Sequence, residues 1–88
     1  MVLDFLFIED KKYEVLLTSS NDGYVRGWKY TSNGWILASQ PDNEEEMIEH
    51  HFSKEIYCLA WDNLNEILYC GEKKGKINIW NFKTDTET

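Results

Sequence analysis

The sequence predicts an all-β fold of antiparallel sheets, and three observations predict it. The segment from Val15 to Trp28 recurs from Ile67 to Trp80, at an offset of 52 residues. Val15 falls on Ile67, Leu16 on Leu68, Gly23 on Gly75, Val25 on Ile77 and Trp28 on Trp80. Seven short strand-like runs are divided by turn signals, and no long helical pattern interrupts them. A fixed-period echo implies supersecondary units that bury their apolar faces only by stacking on one another.

The elements follow in order. Leu3 to Ile8 is the first strand, and Glu9-Asp10-Lys11-Lys12 is the polar turn after it. Glu14 to Ser19 is the second; Val15, Leu16 and Leu17 are too continuous for a strand with one wet face, so it is expected to be covered on both sides. Ser20-Asn21-Asp22-Gly23 is the strongest turn signal, because Asn, Asp and Gly tolerate positive φ. Tyr24 to Lys29 is the third strand, and Ser32-Asn33-Gly34 turns the chain into Trp35 to Ser39, the fourth and outermost. The second unit repeats three of these as Ile56 to Trp61, Glu66 to Gly71 and Lys76 to Phe82, followed by a polar tail.

Between the units lies an acidic stretch, residues 40–55. Asn43 followed by Glu46 has the look of a capping box, and Met47, Ile48, His51 and Phe52 have rough helical spacing, so a helix of one or two turns competes there with an extended excursion. The organisation is therefore 1–39 as one four-stranded unit, 40–55 as an insert, and 56–88 as a three-stranded unit with its tail.

These residues resemble the blades of WD-repeat β-propellers, whose signature is an apolar strand, an Asp-Gly turn, a short strand and a closing Trp-Asp. The resemblance implies antiparallel four-stranded blades, about two of them, as a fragment of a propeller. It also explains the offset, since such repeats run ~40–45 residues and the insert supplies the excess. In WD repeats a buried network commonly joins a His, a Ser or Thr, an Asp at the turn and the Trp. The resemblance assigns Thr18, Asp22, Gly23 and Trp28 to these structural positions in the first unit. In the second it assigns His51, Gly75 and Trp80, but Cys70 stands where the hydroxyl belongs and Lys74 where the Asp belongs. That second network is expected to be broken. Neither Trp is followed by Asp: Lys29 and Asn81 take those places.

Composition narrows the function. Of the 88 residues, 42% are apolar and 15% aromatic, too many for a disordered chain. Sixteen acidic against nine basic residues leave a net charge of −7, which disfavours a grip on nucleic acid or on an anionic membrane surface. No apolar run approaches the ~20 residues of a spanning helix. Two cysteines, Cys58 and Cys70, are far fewer than a disulfide-stapled domain needs, and agree with an intracellular home; the resemblance implies a cytoplasmic or cytoskeletal one. With Asp62 to Asn65 as the hairpin turn, Cys58 opposes Tyr69 and Cys70 opposes Tyr57 on the other face, so two reduced thiols are expected.

Chemical motifs fail on spacing. Gly71 to Ile77 has three residues between its glycines where a phosphate loop has four, and a strand follows where a helix should. His50 and His51 are adjacent, and their side chains diverge. Asp42-Asn43-Glu44 lacks the turn glycine of a calcium loop, and Ser19 and Ser20 lack a nucleophile-elbow setting. No catalytic residue, metal, cofactor or small-molecule substrate is therefore expected. The resemblance implies a non-catalytic protein–protein scaffold in a multiprotein assembly, cytoskeletal, ciliary or trafficking by analogy. Its partners would be other proteins or further blades. The alternative is a structural unit that completes a propeller with its own copies.

Overall fold

The computed structural model describes residues 1–9, 12–52 and 54–88. Asp10 and Lys11 of the first expected turn, and Ser53 in the insert, lie outside the described residues. The chain is all-β: β1 (Val2–Glu9), β2 (Glu14–Ser20), β3 (Tyr24–Thr31), β4 (Gly34–Leu37), β5 (Ser39–Gln40), β6 (Asn43–Met47), β7 (Glu49–His51), β8 (Ile56–Asp62), β9 (Ile67–Glu72), β10 (Ile77–Asn81) and β11 (Thr86–Glu87). Two main sheets form, ordered β1-β2-β3-β4 and β11-β10-β9-β8, and every pairing is antiparallel.

Where a helix competed, the first sheet instead takes a divided outer strand. β4 pairs with the second half of β3, from Trp28↔Leu37 to Thr31↔Gly34. β7 pairs with the first half, from Tyr24↔His51 to Arg26↔Glu49. At the junction the Gly27 N–H donates to the Ile48 carbonyl (2.7 Å), while the Ala38 N–H donates to the Gly27 carbonyl (2.8 Å). The Ile48 N–H closes the joint on the Ala38 carbonyl at 2.8 Å. The small β5–β6 hairpin projects from this joint, and every residue of β6 is exposed. The physical reason is that half of β3 would otherwise offer bare backbone groups, which residues 49–51 satisfy. Residues 49–51 of the insert thus belong to the first unit's sheet, and β5–β6 is a small sheet of its own. Glycine is required at 27 because Ile48 lies against it; a Cβ there would stand 2.8 Å from Ile48 Cγ2.

The second unit gains a strand the sequence reading denied it. Thr86 and Glu87 pair with Asn81 and Trp80, and Ile79 and Thr88 exchange N–H···O bonds of 2.9 and 2.8 Å. The tail is polar, yet an outer strand needs only backbone pairing. The β8–β9 register also differs from expectation: Cys58 opposes Gly71 and Cys70 opposes Leu59. Asp62 Oδ1 accepts the N–H groups of Leu64 and Asn65, which moves the turn one residue on, and a bulge follows between Ile56 and Cys58. Both thiols are free, Cys58 exposed and Cys70 buried.

The core is the seam between the sheets, where β8 packs on β1 and β2. From the first sheet come Ile8, Val15, Leu17 and Val25; from the second come Ile56, Leu68, Cys70 and Trp80. An aromatic chain runs through it: Phe52 meets Trp80, Trp80 meets Phe82 at 4.4 Å between ring centroids, and Phe82 meets both Tyr13 and Trp61. Leu59 N–H donates across the seam to Asp4 Oδ2 at 2.9 Å.

Candidate interaction site

The residues assigned from the repeat do not all meet. In the first unit the Trp28 indole N–H donates to Thr18 Oγ1 at 2.9 Å, one strand away. Asp22 does not join them. It sits in the β2–β3 turn, accepting from Ser20 Oγ, from the Tyr24 N–H (3.0 Å) and from Arg26 Nη2 (3.3 Å). Gly23 completes that turn at φ +85°, and its carbonyl accepts the Phe52 N–H at 2.8 Å.

In the second unit the expected set of His51, Gly75 and Trp80 is not assembled. Strand alternation in β7 sends His50 toward Trp80, with ring centroids 5.3 Å apart. His51 goes the other way, stacking on Tyr24 at 4.5 Å and donating through Nε2 to the Asp22 carbonyl at 3.2 Å. His50 also pairs with Glu87 on β11 at 2.5 Å, joining the outer strands of the two units. Trp80 keeps a partner despite Cys70 and Lys74, because its indole N–H donates to Asp85 Oδ1 at 3.0 Å. Gly75 has φ +86° and open space around it. Sequence reasoning missed Ser20, Arg26, His50, Asp85 and Glu87. The available signal was Asp85 closely following Trp80 in the polar tail.

Two titrations have clear causes. The Ser20 hydroxyl, then the Tyr24 N–H and the Arg26 guanidinium, hold the Asp22 carboxyl at about 2, below its ordinary 3.8. A folded-state value below the unfolded one means that ionised Asp22 favours the turn above pH 3.8. That contribution fades as pH falls from 3.8 through about 2. In an acid titration followed by the Tyr24 amide signal, the midpoint is expected near 2. A midpoint at the ordinary 3.8 would show that these bonds do not persist in solution. Burial, and secondarily the charge of Glu87, pushes the Cys70 thiol up to about 12, so it is inert as a nucleophile.

The surfaces with the clearest organisation are the two outward sheet faces. On the first sheet, Phe5 stands beside Thr18, and Phe7 beside Leu16 and Trp28, with Trp35 edge-on to Tyr30 at 5.3 Å. Phe5 is 68% and Tyr30 72% exposed, and Trp28 is only half-buried. A shallow apolar cavity of about 300 Å³ lies among Val2, Leu16, Thr18, Trp28 and Trp35. On the second sheet the outward row is Ala60, Tyr69 and Ile79, beside Cys58 and Ile77.

These faces are related by the repeat. Leu68 and Trp80, buried against the first sheet, are the equivalents of Leu16 and Trp28, which face outward. Val15, Leu17 and Val25, buried in the same seam, are the equivalents of Ile67, Tyr69 and Ile77 on the outward side of the second. The chain thus repeats one half of its own seam on each exposed side. Stacked antiparallel sheets of this kind define a blade repeat.

The comparisons name the class. The WD40 family, described as "WD domain, G-beta repeat", matches residues 43–81. The chain is 78% identical over 87 residues to cilia- and flagella-associated protein 337 B of Tetrahymena thermophila, covering 99% of this chain and 7% of that protein. It is 34% identical over 77 residues to the WD repeat-containing protein 91 homolog of Dictyostelium discoideum, covering 76% of this chain and 10% of that one. Residues 43–81 thus carry a WD40 repeat, and the chain spans a small part of the length of these curated relatives. No solved structure matches it. The family match begins at Asn43, so it counts β6 and β7 with the repeat that follows, although β7 hydrogen-bonds to the sheet that precedes. Among the described residues no helix is long and apolar enough to cross a membrane. Among the described residues, no group of three or more His, Cys, Asp or Glu side chains is placed to hold a metal ion.

Proposed function

We propose that this chain is a non-catalytic interaction scaffold: two neighbouring blades of a larger WD-repeat propeller serving a ciliary or other cytoskeletal assembly. The observation that carries this reading is the pair of outward faces, each repeating one half of the buried seam. Each offers a further blade the same kind of contact that already joins the two units. The ciliary part rests on the name of the Tetrahymena relative. The non-catalytic part is supported by the inert Cys70 thiol and by Ser19, which is fully buried in the seam.

Bare faces bearing Phe, Tyr, Trp and Ile recruit other chains. In sedimentation velocity, residues 1–88 alone are expected to associate heterogeneously, and a form extended by its natural flanking sequence to run as a discrete species. A sharp, cooperatively melting monomer of 1–88 would overturn the reading. A closed oligomer of fixed stoichiometry would favour the alternative, a ring completed by copies, for which the complementarity of the two faces is the specific support. Within cells, the full-length protein should co-purify with a cytoskeletal assembly; a wholly soluble, unassociated protein would count against the scaffold role.

A further inference from the structure

The basic residues are unevenly placed. Of nine in this chain, Lys54, Lys73, Lys74 and Lys76 come from two short segments, and the turns bring these to one end of the sheets. There, Asn21–Gly23, Lys54–Glu55 and Lys73–Lys74 surround an open depression of about 320 Å³. The opposite end carries Asp42, Glu46 and Asp85, with Lys12 and Lys83 among them.

The rim is held by backbone. Phe52 N–H donates to the Gly23 carbonyl (2.8 Å), and Lys73 N–H to the Glu55 carbonyl (3.1 Å), so the segment before β8 is tied to both units. Its acids are already engaged. Asp22 is taken by Ser20, Tyr24 and Arg26. Glu55 is taken by Lys73 (3.7 Å) and Tyr57, and Glu72 by Asn78 (2.8 Å). Lys54, Lys74 and Lys76 have no ion pair among the described residues. A fixed polar depression is thus left with uncompensated ammonium groups, on a chain whose net charge is −7.

We propose that this rim docks an acidic peptide segment of a partner protein, with Lys54 and Lys74 taking its carboxylates. The proposal rests on the scaffold reading and names the chemistry of one partner. A continuous phosphate backbone fits less well, because Asp22, Glu55 and Glu72 interrupt the lysines and a polyanion of even charge would run onto them. A peptide can set discrete carboxylates against the lysines and leave the acids alone.

Fluorescence anisotropy with a short fluorescein-labelled poly-glutamate peptide and the full-length protein tests it. Binding is expected at low salt and should weaken as salt screens it. The Lys54→Glu/Lys74→Glu variant should bind at least ~10-fold more weakly, whereas Lys29→Glu, away from this rim, should not change affinity. Thermal melts by circular dichroism establish that the variants fold. Should the charge reversal fail to fold, Lys54→Gln/Lys74→Gln should still weaken binding by about threefold or more. Equal binding of poly-glutamine, unchanged affinity in the lysine variants, or equally tight binding of a single-stranded DNA oligonucleotide would each overturn the proposal. So would absence of peptide binding in a protein that still co-purifies with its assembly, which leaves the scaffold reading standing. Peptide binding by a protein that associates with no assembly would sink the scaffold reading alone.

Discussion

Trp80→Ala should abolish the cooperative fold of this chain, at a cost of about 3–5 kcal/mol. Trp80 is 1% exposed and stands where several contacts would be lost together: His50, Phe52 and Phe82 by ring packing, and Asp85 through the indole N–H. The truncation would also leave Asp85 without the donor that fixes the turn into β11. A chain of this size has only a few kcal/mol of stability, so a loss of that order is decisive.

The repeat-equivalent Trp28→Ala should behave differently. Trp28 is only half-buried, because the face it belongs to has no sheet upon it within this chain. Its loss should cost about 1–2 kcal/mol here, on the order of a partial burial plus one hydrogen bond. Within a propeller that covers the face, the two costs should converge. Urea denaturation of both variants, in this chain and in the full-length protein, measures the comparison by circular dichroism. Equal losses in the short chain would mean that the outward face is covered there too, by self-association.

The same asymmetry explains what was legible in the sequence. Strands with apolar runs and glycine turns announced themselves, because local pattern and tertiary role agree in Glu14 to Ser20 and in Ile67 to Glu72. The Thr18–Trp28 bond joins two residues that the repeat assigned to one network. What stayed hidden depends on partners far away in the chain. Glu49 to His51 carry no strand pattern, and they are extended because the first half of β3 needs backbone partners. Thr86 and Glu87 form a strand through pairing with β10, which no side-chain periodicity records. The choice between His50 and His51 turned on the register of β7, and a one-residue difference reverses which ring meets Trp80.

Gly23→Ala and Gly75→Ala provide a sharp test of how far the two units have diverged. They are equivalent in the repeat and nearly identical in backbone, at φ +85° and +86°. An alanine at either position meets the left-handed penalty of about 1–2 kcal/mol. At Gly75 nothing lies within 4 Å of an added Cβ, so the cost should end there. At Gly23 the methyl group would overlap the Phe52 carbonyl oxygen and approach the Lys54 carbonyl oxygen at 3.3 Å. Those are backbone atoms and cannot swing aside as a flexible side chain would. They are also held, because the Phe52 N–H is bonded to the Gly23 carbonyl. Relief would require Phe52, directly after β7, to move, pulling on the His51–Tyr24 stack and on the aromatic core behind it. A further ~1–3 kcal/mol is expected from that overpacking. In parallel urea melts of the full-length protein, Gly23→Ala should therefore lose clearly more stability than Gly75→Ala. It should also weaken the lysine rim, which hangs on the same segment. Equal losses in the two variants would show that Phe52 and Lys54 do not lie against the Gly23 turn, and the joint between insert and first blade would have to be redrawn.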